Sequence, residues 1–177
     1  MDKTSLAGLC AVMIGLSSFG ALAQDYAKLE VSFADEAWTS NAVPTIGICD
    51  AYGGKGYSPA LKISGIPAEA NVIIVAFSDR IYSPMDNGGH GVLRYSIAPG
   101  QGNVTLPSVP GDTKKLPEGI WVESDNSSRM HGGRGYLGPC SGGRGNRYEA
   151  DLKALYKPTD GGETKLLAKG TIRLGYY

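Results

Sequence analysis

Two side chains that could carry acid–base or ligand-binding chemistry stand close together in the sequence. Asp79 closes the strand that contains the apolar run "NVIIVAF", and His90 opens the next apolar segment. A carboxylate and an imidazole could together serve a hydrolase. No G-x-S-x-G elbow or other motif places a nucleophile beside them, however. The sequence therefore favours a binding protein over an enzyme, with no catalytic residues assigned.

A glycine-rich stretch, "GYLGPCSGGRGNRYEADLKAL", raises the question of a phosphate cradle. Gly133 to Gly138 reads as G-x-G-x-x-G. A dinucleotide site needs a strand before that motif and a helix after it, so that the helix N-terminus meets the pyrophosphate. More glycine and Pro139 follow here instead, so we expect no nucleotide and no other cofactor.

The N-terminal residues have the pattern of a secretory signal peptide. Lys3 precedes an apolar run from Leu6 to Leu16, and a small-x-small cleavage site ends at Ala23. We expect residues 1–23 to be a cleaved leader and residues 24–177 to form a single domain. The protein would then be periplasmic or secreted.

Charge and hydropathy exclude several kinds of partner. The chain has 17 basic and 17 acidic residues, so its formal net charge is zero. No basic block or aromatic-interleaved basic stripe indicates nucleic acid as a partner. After residue 23 no apolar run is long enough to span a bilayer, so we expect no integral membrane segment beyond the leader.

The cysteines leave two alternatives open. Removal of the leader also removes Cys10 and leaves Cys49 and Cys140. An even pair in an exported protein suggests one disulfide, although two separate buried thiols would also fit. A metal site built from these cysteines with His90 and His131 is formally possible, but none of the four stands at a local ligand spacing. We therefore predict no metal.

Short apolar or alternating segments bounded by turn residues predict an all-β protein. The run from Asn71 to Phe77 is apolar on both faces, as in a central strand, and Arg147–Tyr156 alternates. Glu163–Lys169 fits a short helix or a strand, and no other segment has helical periodicity. The predicted strands are Lys28–Phe33, Thr45–Cys49, Ala60–Ile63, Val72–Phe77, Val92–Ile97, Asn103–Leu106, Gly119–Val122, Arg147–Tyr156 and Leu166–Leu174.

The region from Pro107 to Asn146 is the longest irregular stretch, interrupted only by the predicted strand Gly119–Val122. In compact domains such long loops are usually functional or disordered. It includes the glycine-rich stretch and leads directly into the alternating strand. We therefore expect the functional surface to involve this region.

Three segments together resemble the phosphatidylethanolamine-binding protein (PEBP) family, specifically its bacterial Raf kinase inhibitor-like branch. They are "CDAYGGKGYSPAL" from Cys49, "VAFSDRIYSPMDNGGHGVLRYSI" from Val75, and the stretch from Gly135 to Leu155. The similarity resumes at "GTIRLGYY" near the C-terminus. "GYLGPC" followed by "RY" and an alternating strand is its most specific part.

The resemblance implies an antiparallel β-sandwich with few or short helices and a pocket that accepts a small anionic or polar group, such as a phospholipid head group. Carried over position by position, the family's pocket aspartate and histidine fall on Asp79 and His90. The rim falls on Gly138 and Pro139, and the pocket tyrosine on Tyr148. Tyr136, just before the rim, could add an aromatic wall.

The chain also departs from the family pattern. The expected D-P-D-x-P run is Asp79-Arg80-Ile81-Tyr82-Ser83-Pro84, which lacks the second aspartate, and Gly91 replaces an aromatic residue. Asn146 stands where the family has a second pocket histidine; it can hydrogen-bond but adds no charge. The pocket should therefore hold a doubly charged phosphate less well.

Arginines could compensate for the missing histidine, because guanidinium matches phosphate oxygens in geometry. Arg80, Arg144 and Arg147 are the candidates, although a solvated surface charge is the favoured interpretation for each of them taken alone. Two functional hypotheses follow: a non-catalytic ligand-binding protein, or a secreted inhibitor or protein-interaction module with a vestigial pocket. The kinase-inhibitor label of the branch is not carried over as an activity.

Overall fold

The computed structural model describes Met1, residues 25–129 and residues 132–177. The predicted leader, Cys10 and His131 lie outside the described residues. In the described part the helical elements are two 3-10 turns, Asp50–Tyr52 and Ser83–Met85. The strands are β1 (Ala27–Lys28), β2 (Glu30–Phe33), β3 (Leu61–Ser64), β4 (Val72–Asp79), β5 (Val92–Ser96), β6 (Asn103–Leu106), β7 (Ile120–Ser124), β8 (Arg147–Tyr156) and β9 (Lys165–Tyr176).

A six-stranded sheet in the order β1-β9-β8-β4-β5-β7 forms the larger layer. Its pairs are antiparallel except β1 with β9, which is parallel, so the sheet is mixed where the sequence predicted a wholly antiparallel one. β4 pairs with both β8 and β5, as its two-sided apolar pattern predicts for an interior strand. The smaller layer is an antiparallel sheet in the order β2-β3-β6.

The core lies between the two sheets. Leu61 and Ile63 of the smaller sheet belong to the same buried cluster as Ile73, Val75 and Leu152 of the larger one. In β8 the alternation holds as predicted: the side chains from Tyr148 to Ala154 that face the core are buried, and their neighbours are more exposed. The all-β prediction is therefore confirmed.

Two local predictions need correction. Thr45–Cys49 is not a strand, because Gly47 and Ile48 donate their backbone N–H groups to the carbonyl of Pro44 and close a turn. The predicted strand Lys28–Phe33 is divided at Leu29 into β1 and β2, which belong to different sheets. The ambiguous segment Glu163–Lys169 enters strand β9 at Lys165.

A disulfide joins Cys49 to Cys140, which settles the two alternatives left open by the sequence. The residues it connects are 91 positions apart. Through it the 3-10 turn Asp50–Tyr52 is covalently linked to the glycine-rich stretch before β8. Within the described ranges, no helix is long and apolar enough to cross a membrane.

Candidate functional site

A cleft of about 850 Å³ opens where β4 ends and β8 begins. Four of the predicted ligand-binding residues meet there, although they come from three separate segments: Asp79, His90, Asn146 and Tyr148. The remaining lining comes from the turn after β4, from the loop before residue 130 and from the disulfide region: Tyr52, Ile81, Tyr82, Pro84, Met85, Ser127, Ser128, Arg129, Leu137, Cys140, Ser141 and Arg144.

Asp79 organises the chain around it. Its side chain is buried, and Oδ1 accepts the backbone N–H groups of Ile81 at 2.9 Å and Tyr82 at 3.1 Å. This is the usual way in which an aspartate at a strand end fixes the following turn. Oδ2 accepts a hydrogen bond from Asn146 Nδ2 at 2.6 Å. Three N–H donors thus surround the carboxylate.

His90 is held from both its backbone and its ring. The backbone N–H donates to Phe77 O, and the backbone carbonyl accepts from Leu137 N. Nδ1 lies 2.9 Å from Leu137 O. Since a carbonyl can only accept, Nδ1 carries the proton of this hydrogen bond. The ring meets the Tyr148 ring edge to face, with centroids 5.2 Å apart.

Tyr148 links the cleft floor to the disulfide. Its hydroxyl oxygen accepts the Cys140 N–H at 3.1 Å. Burial raises the pKa of Tyr148 to about 12, although hydrogen bonding with Ser141 and Cys140 acts in the opposite direction. The phenol is therefore neutral at physiological pH. It contributes a polar, uncharged group to the floor.

Three residues predicted for the pocket lie elsewhere. Gly138 and Pro139 are buried and do not line the cleft, whereas their neighbours Leu137 and Cys140 do. A Cβ on Gly138 would come within 2.4 Å of Gly47 O, so glycine is needed there for two backbone segments to pack together. Tyr136 is also buried and packs on Phe77 in the core, with ring centroids 4.5 Å apart.

The three arginines considered from the sequence have different environments. Arg80 ion-pairs with Asp86 at 2.6 Å, with Glu149 at 3.0 Å and with Asp151. Burial disfavours its charge, but its hydrogen bonds to these carboxylates raise the pKa of Arg80 above the ordinary value. Arg147 pairs with Glu149 at 3.2 Å. Both therefore fix structure and are already neutralised.

Arg144 differs because it lines the cleft, is exposed and forms no ion pair with any described residue. Arg129 also lines the cleft, is exposed and forms no ion pair with any described residue. It was missed from the sequence, since a lone arginine in a long loop gives no spacing signal. The cleft therefore combines a buried polar floor with two available cations.

The mouth also carries large apolar side chains that the sequence reasoning did not single out. Tyr52, Ile81 and Tyr82 line the cleft with 47%, 65% and 55% of their surface exposed. Ile81 and Tyr82 belong to the turn that Asp79 fixes, and Tyr52 belongs to the 3-10 turn that follows the disulfide-bonded Cys49. In the described residues no group of three His, Cys, Asp or Glu side chains could hold a metal ion.

Comparison with solved structures identifies the fold. The crystal structure of Escherichia coli YbcL, described as a new member of the mammalian PEBP family, covers 85% of this chain and 98% of its own, with 23% identity and a TM-score of 0.56. A putative PEBP homolog, CT736 from Chlamydia trachomatis, covers 85% and 97%, with 17% identity and a TM-score of 0.50.

No protein-family model matches the sequence, and no curated protein is significantly similar to it. The structural likeness nevertheless confirms, at the level of the fold, the PEBP resemblance found in the sequence. The chain has the PEBP fold.

Proposed function

We propose that this protein binds a small anionic or polar group, such as a phosphate-bearing head group, in the cleft beside Asp79 and His90, and does not convert it chemically. The observation that supports this most is the composition of the cleft. A buried, hydrogen-bonded floor lies beside two exposed arginines that have no acidic partner in the described structure.

The floor residues would shape the site, and the arginines would supply the charge. The carboxylate of Asp79 already accepts three N–H donors, so its main effect is to fix the turn and Asn146. The negative charge of Asp79 nevertheless disfavours an anion that is bound close to it. Arg144 and Arg129 would offset that effect, because guanidinium groups bind phosphate or carboxylate oxygens in a bidentate manner.

Hydrogen bonding in the cleft supports binding over catalysis. A general base of the Ser-His-Asp kind has its Nδ1–H bound to a carboxylate, whereas that of His90 is directed to the Leu137 carbonyl. Ser141 contributes a hydroxyl to the cleft lining, and its Oγ donates to Tyr177 O at 2.5 Å. These two groups therefore do not form a Ser-His-Asp triad.

Export is part of the proposal. The leader-like sequence of residues 1–23 supports it, and so does the disulfide, because such bonds persist in oxidising compartments. The ligand would then be met in the periplasm or outside the cell.

NMR titration with inorganic phosphate and with phosphoethanolamine tests the proposal. Saturable shifts at the His90 ring and the Tyr148 backbone amide are expected at millimolar ligand. Leu174, in the core of β9, serves as a reference that should not shift. Flat shifts at both cleft residues at tens of millimolar ligand would overturn the proposal.

A protein-interaction module is the second candidate, favoured by the exposed Tyr52, Ile81 and Tyr82 at the mouth. Exposed apolar clusters of this kind often mark interaction sites. Under this alternative, Tyr82→Ala would abolish capture of a partner while His90→Ala would leave it intact. If the cleft binds a small anion instead, His90→Ala should weaken phosphate binding, whereas Tyr82→Ala should leave it intact.

A further inference from the structure

The outer face of the larger sheet, which faces away from the smaller sheet, carries a row of basic residues. Strand register places Lys28 of β1 beside Lys169 of β9, and Lys169 opposite Lys153 of β8. Lys153 in turn lies opposite Ile74 of β4. Their sequence neighbours Leu152 and Ala168 are buried in the core, so Lys153 and Lys169 point outward.

The row continues across the rest of the sheet. Ile74 is paired with Arg94 of β5, and Arg94 with Trp121 of the edge strand β7. One line of neighbouring residues therefore crosses all six strands. At the usual spacing between strands it is roughly 24 Å long. Four of its six side chains are cationic, and its last member is an exposed tryptophan.

The charges in the row are only partly neutralised. Lys28 pairs with Glu30 at 2.8 Å, and Arg94 lies 3.6 Å from Glu123. Lys153 and Lys169 have no ion pair with any described residue, although they stand directly opposite each other. Like charges at opposed positions in a sheet are destabilising, so folding alone does not favour this pairing.

Lys28, Lys153 and Lys169 also line one open groove of about 640 Å³, together with Asn87 and Thr171. The groove contains two carboxylates, and both are already paired. Glu30 is bound to Lys28, and Asp151 is bound to Arg80. With three lysines against two carboxylates in its lining, the groove has a net positive charge.

Aromatic rings lie at both ends of the row. Arg94 stacks on Trp121 with its guanidinium carbon 4.7 Å from the ring centroid, and Lys169 Nζ lies 4.1 Å from the centre of the Tyr26 ring. Trp121 keeps 45% of its surface exposed beside Arg94, so its ring can stack on the apolar face of a sugar while the cation pairs with a carboxylate of that sugar.

We propose that this outer sheet face is a binding surface for an acidic polysaccharide. The chain of sugars would run along the row from Trp121 to Lys28, with its carboxylates on Lys153 and Lys169. An acidic peptide fits less well, since the backbone groups of the interior strands are already used by the sheet. A lipid surface would be favoured by projecting aliphatic side chains, whereas Ile74 is half-buried.

Binding of polygalacturonate to the full chain tests the proposal, with dextran, polyglutamate and anionic phospholipid vesicles as the alternative ligands. Polygalacturonate should bind best, and its affinity should fall by roughly tenfold between low and high salt because exposed charges are screened. The double variant Lys153→Gln/Lys169→Gln should bind about tenfold more weakly. Trp121→Ala should weaken the binding of polygalacturonate more than that of polyglutamate.

The matched control is Lys62→Gln/Lys115→Gln, which removes two exposed lysines outside the row and should change affinity less than twofold. Because Lys153 and Lys169 repel each other, their double variant should keep its thermal midpoint, which separates lost binding from lost folding. An equal loss in the control variant, tighter binding of polyglutamate or vesicles, or no binding of polygalacturonate would overturn the proposal.

Discussion

The floor and the mouth of the cleft are built from opposite kinds of side chain. On the floor, Asp79, His90 and Tyr148 are buried and hydrogen-bonded. At the mouth, Arg144 and Tyr82 are exposed, and the arginine has no ion pair with the described residues. The difference indicates a division of roles, in which floor residues determine stability and the shape of the site while the mouth arginines supply the charge that holds the ligand.

Removing the disulfide should have the largest effect, because the bridge links the floor to the mouth. It joins Cys49, which precedes the turn that carries Tyr52, to Cys140, whose N–H donates to Tyr148. On the chain-entropy model a bridge between residues 91 positions apart stabilises the fold by about 4–5 kcal/mol. Cys49→Ser/Cys140→Ser should lose about that much in urea unfolding and should also bind phosphate more weakly. A loss under about 1 kcal/mol would contradict the chain-entropy figure, and unchanged phosphate binding would show that the bridge does not hold the cleft wall.

Asp79→Ala should cost about 3 kcal/mol of unfolding free energy, because the N–H donors that it accepts are left without their partner. Ile81→Ala is the control at the mouth. With 65% of the side chain exposed, it should change stability by no more than about 0.5 kcal/mol. Equal losses in the two variants would remove the distinction between floor and mouth.

Alkaline pH should destabilise the fold through its buried tyrosines, Tyr148 of the floor among them. The pKa of Tyr148 is about 12 in the folded protein and about 10 for an unfolded tyrosine. The stability that this group contributes is therefore complete below pH 10 and is lost as the pH rises towards 12. Burial also raises the pKa of Tyr95 and Tyr136.

Urea midpoints measured between pH 8 and pH 11.5 would check this dependence. They should fall above pH 10, and the decline should be shallower in Tyr148→Phe than in the wild type. A midpoint that stays constant to pH 11.5 would contradict the burial-driven shift.

Asn146→His should have a smaller and more specific effect. Asn146 donates to Asp79, and a histidine could keep that donor while gaining a charge as the pH falls through its pKa. Phosphate affinity should rise about threefold or more at pH 5.5 and change little at pH 8. Asn146→Gln, which keeps an amide, should show no such pH dependence; if it did, the effect would not arise from imidazole charge.

Much of the sheet structure could be predicted from the sequence, because burial produces local patterns. The alternation of β8 and the two-sided apolar run in β4 predict their faces and positions correctly. The parallel pairing of β1 with β9 could not be predicted this way, since it depends on a partner about 140 positions away. The strand predicted over Thr45–Cys49 is wrong, because this segment closes a turn on the Pro44 carbonyl and ends at the disulfide.

The candidate site was predicted in part, through its resemblance to a family motif. Asp79, His90, Asn146 and Tyr148 do come together, which no local pattern specifies. Gly138 and Pro139 are buried and do not line the cleft, and glycine at 138 lets two backbone segments pack closely. Arg129 was missed because only the tertiary fold brings its loop to the cleft.

The central claim is that the mouth arginines hold an anion over a floor that is already formed. Calorimetric titration of inorganic phosphate into Arg129→Gln/Arg144→Gln, beside the wild type and Arg134→Gln, tests it most directly. Arg134 is an exposed arginine of the same long loop region that does not line the cleft. We expect the double variant to bind roughly tenfold more weakly with an unchanged thermal midpoint, and Arg134→Gln to match the wild type. Equal affinity in all three proteins would contradict the account.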